Sequence, residues 1–270
     1  MPDLMADPDD LLVRAYSTIA GWLAHGHETR TQPLAQLVRD ARTPVVYDAN
    51  FICDVRARTP DEIESLLEAA DSMYRGLGHR LYLWDPGMPL EFEARLQLEG
   101  YEADEQVILV LEGALAAQGP KLDLRKAQSD ADWETIYALC RLDHEEEAEK
   151  GFHDPWDESV TRQLVTSKRV KAPDVQFFLA RVDGVDCAFF SAWPGENGVG
   201  QVEDLFTRSD FRGRGIGTAL IARCVDDARA RGAHAVLIGA RPNDTPKHMY
   251  AALGFRPLCV ERRYLKTGFE

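Results

Sequence analysis

The sequence is poor in the residues and patterns that several classes of protein require. Its cysteines are scattered and form no C-x-x-C pair, which argues against a disulfide framework or a zinc site and fits a reducing compartment; they are Cys53, Cys140, Cys187, Cys224 and Cys259. No apolar run approaches the roughly 20 residues that a membrane-spanning helix needs. The first ten residues are acidic, whereas a secretory signal would be basic and then apolar. We therefore expect a cytoplasmic protein that has no membrane partner and binds no metal.

Positive charge is also scarce. Lysine and arginine number 31 against 45 aspartates and glutamates, which gives a formal net charge of −14. Nucleic-acid binding needs clustered positive charge, so a nucleic-acid partner is not expected. The negative charge either maintains solubility or favours cationic small molecules or basic peptides as partners, and composition does not choose between these. The sequence also leaves a homodimer open.

The length of 270 residues favours two domains, and 45% hydrophobic residues are enough for real cores. Hydrophobic periodicity and capping residues predict helices near 9–24, 33–39, 60–76, 90–98, 130–142, 158–170, 215–231 and 246–253. They predict strands near 45–47, 51–55, 80–84, 106–111, 122–125, 177–182, 185–193, 199–207, 235–240 and 258–265. The small residues of Gly113–Pro120 read as a linker. We therefore expect one domain over residues 1–118 and a second over residues 119–270.

One order of elements occurs twice in the chain: strand, helix, strand, short helix, glycine with an aromatic residue, strand. The first copy covers residues 45–111 and contains Gly100-Tyr101, and the second covers residues 199–265 and contains Gly254-Phe255. Where the second copy has a glycine-rich loop, the first has Val55-Arg-Ala-Arg-Thr-Pro60, which contains no glycine and includes a proline without an N–H group. The first copy is therefore predicted to be degenerate, and only the second is expected to be catalytic.

The glycine-rich loop is Asp210-Phe-Arg-Gly-Arg-Gly-Ile-Gly-Thr218, which lies between an apolar strand and a predicted helix. Glycines let the backbone approach a ligand closely, and the free N–H groups at a helix N-terminus attract anions. The spacing Gly213-x-Gly215-x-Gly217 is not the G-x-G-x-x-G of dinucleotide-binding folds, and the G-K-[ST] of the Walker motif is absent. The loop is therefore predicted to bind a phosphate or pyrophosphate of another kind of ligand.

From Leu122 to Leu265 the chain resembles the GNAT superfamily of acyl-CoA-dependent N-acyltransferases. The most specific piece, Val202-Glu-Asp-Leu-Phe-Thr-Arg-Ser-Asp-Phe-Arg-Gly-Arg-Gly-Ile-Gly217, is similar to a stretch of diamine and polyamine acetyltransferases. The resemblance implies an α/β (α+β) fold with two GNAT-like halves, as in tandem members of the superfamily. Each half would have a mixed, mainly antiparallel central sheet flanked by helices, and the N-terminal half would be degenerate.

The resemblance also implies the co-substrate and the residues that hold it. Acetyl-CoA would bind without a metal, and the strand backbone at Leu205, Phe206 and Thr207 would pair with its pantetheine arm. Asn243 would contact the pantetheine, or it is an ordinary turn residue. The pyrophosphate would lie on the loop residues Arg212, Gly213, Arg214, Gly215, Ile216, Gly217 and Thr218.

Aminolysis of a thioester needs a neutral amine and a proton for the leaving thiolate, yet alkyl amines are protonated at neutral pH. Glu203 matches the glutamate of the polyamine enzymes and is the candidate base; the alternative is a surface carboxylate paired across the sheet. Tyr250 matches a tyrosine that protonates the thiolate in the superfamily; the alternative is core packing. His144, His153 and His248 could titrate in the useful range but lie at positions that the motif does not support.

The acceptor is predicted to lie near acidic residues. Asp204 points to the other face of a regular strand from Glu203, so only a bulge would bring both to the site, where Asp204 would orient neighbouring groups or bind the acceptor. Glu146 lies in an acidic run that either binds a cationic acceptor or is a solvated loop. The predicted function is transfer of an acetyl group to a primary amine of a small, cationic molecule. The alternatives are a peptide or protein N-acetyltransferase and a CoA-binding regulatory protein without turnover.

Overall fold

A computed structural model of the chain describes residues 8–269, with side chains from residue 11 onward. Residues 1–7, part of the acidic segment predicted not to be a secretory signal, lie outside the described part. The helices are α1 (Pro8–Ala24), α2 (Pro60–Met73), α3 (Leu90–Leu98), α4 (Asp130–Glu149), α5 (Glu158–Arg169), α6 (Ile216–Ala230) and α7 (Pro246–Ala252). The strands are β1 (Glu28–Gln32), β2 (Ala35–Arg39), β3 (Phe51–Cys53), β4 (His79–Leu83), β5 (Glu102–Leu111), β6 (Asp123–Lys126), β7 (Gln176–Val182), β8 (Val185–Trp193), β9 (Val199–Thr207), β10 (Ala235–Ala240) and β11 (Arg256–Thr267). Each helix within residues 8–269 is too short or too polar to span a bilayer.

The chain divides into two compact units. The first unit contains the residues up to Ile108 together with those from Leu258 onward, and the second unit is Leu109–Pro257. These units differ from the predicted domains in two stretches, 109–118 and 258–269. The second stretch belongs to the first unit because β11 pairs with β4, with Arg263 opposite Leu83 and Thr267 opposite His79.

The first unit has a mixed sheet in the order β1, β2, β3, β4, β11, β5. β1 with β2, β2 with β3 and β4 with β11 pair antiparallel, whereas β3 and β4 pair in parallel, with Ile52 opposite Tyr82. A cluster of buried side chains packs α2 and α3 onto this sheet; it includes Ile63, Leu66, Tyr74, Tyr82, Phe92, Leu96 and Tyr264. A sheet with helices packed on it is the architecture that was predicted for this half.

Two sequence-based assignments in the first unit are wrong. The predicted helix at residues 33–39 is strand β2, because Leu37 and Val38 are buried between β1 and β3 and their backbones pair with both. The predicted strand at residues 45–47 is part of a turn that continues into a 3₁₀ helix, Tyr47–Ala49. The buried Asn50 stabilises this turn, since its side-chain amide donates to the carbonyl of Thr43 and to that of Val46, each at 2.9 Å.

The second unit has a sheet in the order β10, β9, β8, β7, β6. β6, β7, β8 and β9 pair antiparallel with one another, and β9 pairs in parallel with β10. Helices α4 and α6 pack against β8 and β9. The mainly antiparallel sheet with flanking helices confirms the predicted fold class for this half.

Helix α4 begins where it was predicted but ends later. Its N-cap is Ser129: the Ser129 hydroxyl accepts from the Asp132 backbone N–H, and the Asp132 carboxylate accepts from the Ser129 N–H. The acidic run that was predicted as a loop continues the helix to Glu149. Ion pairs four residues apart, such as Arg141 with Glu145, stabilise this part of α4.

The predicted repeat is present in the structure. The order β3, α2, β4, α3, β5 matches β9, α6, β10, α7, β11, and the first two strands of each copy pair in parallel, Ile52 with Tyr82 and Val202 with Ile238. Asp54 and Asp204, each two residues after the paired β3 or β9 residue, have φ angles of 52° and 67°. Such angles are uncommon for residues other than glycine, so the two copies share a specific backbone feature as well as an element order.

Two hairpin turns that precede β9 allow a matched test of backbone strain. Gly184 has a φ of 79° with open space around it, whereas Gly195 has a φ of 71° and an added Cβ would lie 1.9 Å from the Val199 carbonyl oxygen. We expect Gly184→Ala to lower the free energy of unfolding by about 1–2 kcal/mol, the cost of a left-handed alanine. Gly195→Ala should cost more because the backbone must also move. Equal losses in urea unfolding would contradict this prediction.

Candidate active site

A β-bulge in β9 shapes the centre of the second unit. Phe189 of β8 lies opposite Phe206, but Ser191 lies opposite Glu203, so two residues of β9 face one residue of β8. The bulge contains Asp204 in the left-handed region of backbone angles. It is the irregularity that the sequence required if Glu203 and Asp204 were both to reach one site.

The bulge does not turn both carboxylates into the cleft beside it. Asp204 accepts a hydrogen bond from the Ser191 hydroxyl at 3.1 Å and forms an ion pair with Lys168 of α5. Glu203 accepts a hydrogen bond from the side-chain amide of Gln201 at 2.8 Å. Asp204 is therefore tied to α5, and neither carboxylate is among the residues that line the cavity described next.

A cavity of about 540 Å³ opens between the end of β9, the glycine-rich loop, α7 and the C-terminal part of α4. The predicted site residues that line it are Leu205, Phe206, Thr207, Arg212, Gly213, Gly215, Ile216, Gly217, Thr218 and Tyr250. The other lining residues are Asp143, Glu147, Lys150, Phe152, Phe211, Asp244, Thr245, Pro246 and Met249. The structure thus brings most of the predicted cofactor residues together with Tyr250 in one cleft.

The glycine-rich loop leads directly into the N-terminus of α6. Gly215 is the N-cap residue with a φ of 75°, and within residues 8–269 no side chain caps this end and no acidic residue occupies its first turn. At the same point of the first copy, Thr59 and Glu62 form a capping box at the start of α2. The first-turn N–H groups of α6 are therefore available to an anion, whereas those of α2 are partly satisfied by its own side chains.

The loop arginines differ in position. Arg212 lines the cavity; its Nε donates to the Thr207 carbonyl at 2.8 Å, and its guanidinium pairs with Glu146 of α4. Arg214 lies outside the cavity lining, 3.6 Å from Asp183. Glu146, which was predicted to bind the acceptor, pairs with this loop arginine and is not among the lining residues of the cavity.

Tyr250 of α7 is buried, with 5% of its surface exposed, yet it borders the cavity. Burial raises the pKa of its phenol well above the ordinary value, and the charges of Glu203 and Asp244 raise it further. The phenol therefore keeps its proton at neutral pH and can donate a hydrogen bond.

Asp143 is the ionisable group of the cleft that the sequence reasoning missed. Burial raises the pKa of its carboxyl to about 7, the charges of Glu147 and Glu146 add to this, and Lys168 and Lys150 oppose it. The spacing of Asp143, Glu147 and Lys150 (i, i+4, i+7) places the three on one face of a helix. That spacing would have revealed them if the acidic run had been read as helical.

Other predicted residues lie apart from the cleft lining. Asn243 is not among the lining residues, although its neighbour Asp244 is. His144 is hydrogen-bonded to Thr161 and burial lowers its pKa to about 4, while His153 stacks on Trp156. Neither of these histidines nor His248 lines the cavity. In the part of the chain that the structure describes, no group of His, Cys, Asp and Glu side chains is arranged to hold a metal ion.

Residues 133–255 match the model of the acetyltransferase (GNAT) family. An uncharacterised N-acetyltransferase of Methanocaldococcus jannaschii is 32% identical over 106 residues, which are 36% of this chain and 46% of that protein. Glucosamine 6-phosphate N-acetyltransferase 1 of Oryza sativa subsp. japonica is 42% identical over 57 residues, which are 21% of this chain and 33% of that protein. The chain thus spans between 33% and 52% of the length of the curated relatives it matches.

A solved tandem GNAT protein from the clavulanic acid biosynthesis pathway has a TM-score of 0.57 with this chain at 14% identity. The match covers 97% of this chain and 94% of that one. At this identity the likeness shows the fold, and it extends over both units. Together with the family match of residues 133–255, this fold confirms the predicted resemblance to the GNAT superfamily.

The half-buried carboxyl of Asp143 predicts a pH-dependent effect on stability. Its pKa is raised on folding, so the stability that the protonated group contributes is complete below the unfolded value near 3.8 and is lost as pH rises through about 7. Asp143→Asn cannot ionise. It should leave Tm nearly unchanged at pH 4 and raise it by about 5 °C at pH 8. The exposed Glu149 of the same helix provides the control, Glu149→Gln; an Asp143→Asn effect that does not vary with pH would contradict the prediction.

Proposed function

We propose that the chain transfers an acetyl group from acetyl-CoA to a primary amine of a small, cationic molecule. The observation that carries the proposal is that the uncapped N-terminus of α6, the strand segment Leu205–Thr207 and Tyr250 all border one cavity. An anion site, a strand edge and a proton donor are the parts that a pyrophosphate, a pantetheine arm and a leaving thiolate require. The GNAT-family match of the same segment supports this assignment.

Loop and strand residues would hold the co-substrate. The first-turn N–H groups at Ile216–Thr218 and the Arg212 guanidinium would bind the pyrophosphate, and the backbone at Leu205–Thr207 would pair with the pantetheine. A Cβ on Gly217 would meet nothing closer than a Met249 side-chain atom at 3.6 Å, so there is space at the helix start. Acetyl-CoA supplies an activated thioester; the protein's task is to place the amine and move protons.

Two side chains are proposed to act on the reacting atoms. Tyr250 would give its proton to the departing thiolate, which its raised pKa makes possible at neutral pH because the phenol stays protonated. Glu203 is proposed as a base for the transfer step, and its charge already acts on Tyr250. Asn243 is still proposed to contact the pantetheine.

The charges of the cleft favour a cationic acceptor. Asp143, Glu147 and Asp244 line it at the α4 and α7 sides and outnumber Lys150, the one lysine of the described lining there, whereas Arg212 lies at the loop. One of the relatives is named glucosamine 6-phosphate N-acetyltransferase 1, and this name gives a small molecule as its acceptor. A peptide or protein acceptor and a CoA-binding protein without turnover are the alternatives, and an amine and peptide panel separates them.

The phosphate site can be tested at Gly217, where the fold tolerates a side chain. Aspartate at a helix N-terminus interacts favourably with the helix dipole and so stabilises the folded, ligand-free protein. It also places negative charge where the phosphates would bind. We expect Gly217→Asp to leave Tm unchanged or raise it and to weaken acetyl-CoA binding at least tenfold in calorimetry. Gly217→Ala is the matched control and should weaken binding less. Unchanged affinity of Gly217→Asp would contradict the proposed site.

The proton donor can be tested with Tyr250→Phe, which keeps the buried ring and removes the hydroxyl. General acid catalysis contributes roughly 10²–10⁴-fold, so kcat for thiol release should fall at least 100-fold. Affinity for CoA should not change because the ring remains in place. Thiol release at the rate of the unsubstituted protein would exclude Tyr250 as the acid.

A further inference from the structure

Acetyl transfer to an ammonium requires the removal of two protons from the nitrogen. The first must leave before the lone pair can attack the thioester carbonyl, and the second leaves the nitrogen as the amide forms. One of the two serves to replace the proton given to the thiolate, and the other is released to water. One base therefore accounts for only half of the nitrogen's proton transfers.

The carboxylates around the cleft differ in their hydrogen-bond and ion-pair partners. Glu146 pairs with Arg212, Glu147 with Arg241 at 2.9 Å, Asp204 with Lys168, and Asp244 accepts from the Thr245 N–H at 2.7 Å. Glu203 accepts from Gln201. Within residues 8–269, Asp143 lines the same cavity but takes part in no hydrogen bond or ion pair.

We propose that Asp143 receives the ammonium group of the acceptor in the cleft and takes its first proton. This inference rests on the proposed function and adds a residue that the family motif does not contain. Asp143 borders the cavity that Tyr250 also borders, so an amine held by its carboxylate is in the same space as the thioester. A partly buried carboxylate that forms no ion pair carries a desolvation cost, and an ammonium would supply the missing partner.

The electrostatic surroundings suit a proton acceptor. The pKa of Asp143 is about 7, so the group is ionised above neutrality and holds a proton more readily than an ordinary aspartate. An alkyl ammonium, with a pKa of roughly 10.4 in water, becomes more acidic as the cleft desolvates it. The charged groups that act on Asp143 are Glu146, Glu147 and Lys150 of α4 and Lys168 of α5, and Asp204 of β9 holds that lysine.

The reaction balances with these groups. The first nitrogen proton moves to a carboxylate oxygen of Asp143, the freed lone pair bonds to the acetyl carbon, and the carbon–sulfur bond breaks. Tyr250 gives its proton to the sulfur. Glu203, which lies outside the cavity lining, takes the second nitrogen proton through water, and that proton restores Tyr250. Asp143 then releases its proton to water. The products are the amide, CoA thiol and one proton.

Asp143→Asn keeps the shape of the side chain and removes the proton acceptor. With putrescine as the probe, kcat/KM at pH 7.5 should fall about 100-fold. It should then recover roughly tenfold per pH unit above that as free amine becomes available. The rise of kcat/KM through pH 7 that we expect for the unsubstituted protein should be absent from the variant, and CoA affinity should not change. Asp143→Glu should restore part of the rate, and Glu149→Gln should behave as the unsubstituted protein.

The outcomes separate this inference from the proposed function. A pH profile of Asp143→Asn that keeps both the rate and the rise through pH 7 would overturn the role of Asp143. Putrescine affinity of the CoA complex, measured by calorimetry at pH 8, should be at least tenfold weaker in Asp143→Asn; equal affinity would also overturn it. If the unsubstituted protein released no thiol with any amine, the proposed function would be contradicted. The putrescine affinities of the unsubstituted protein and of Asp143→Asn would then still test whether Asp143 binds the ammonium group.

Discussion

The cleft depends on one irregularity in the hydrogen bonding of a sheet, the bulge of β9 at Asp204. A residue other than glycine in the left-handed region costs about 1–2 kcal/mol, and the contacts of Asp204 with Lys168 and Ser191 offset this cost. The extra residue interrupts the pairing of β9 with β8 just before Leu205–Thr207. Those residues border the cavity, and the loop that follows them carries the glycines.

The two copies share their backbone arrangement but differ at the helix N-terminus that would bind an anion. The first copy has an aspartate with positive φ at the matching position, Asp54. Its carboxylate lies 3.6 Å from the Arg56 guanidinium. What it lacks lies after the strand, where Thr59 and Glu62 cap α2 in place of an open helix end. The parallel strand pair and its strained aspartate are thus common to both copies, and the uncapped helix N-terminus distinguishes the second.

Local patterns predicted most elements, and long-range pairing accounts for the failures. The strands near 177–182 and 185–193, the helix start near residue 60 and the strand 235–240 were predicted correctly because adjacent residues determine them. Strand β2 was missed because it is stabilised by pairing with β1 and β3. The hydrophobic pattern of its five residues does not show which strands it pairs with. Most of the residues that line the cleft at the loop followed from the loop motif. Asp143 did not, since its raised pKa arises from its surroundings in the fold rather than from the sequence motif.

The position of β11 affects the order in which the molecule can form. This strand pairs with β4 in the first unit, yet the whole of the second unit, Leu109–Pro257, lies between them in the chain. On the ribosome, therefore, the first unit has no partner for that edge of β4 until the second unit has been synthesised. Closing so long a loop is entropically slow, and an unpaired strand edge favours association with other chains in the meantime. The unit with the degenerate copy, although translated first, is therefore the one that finishes folding last.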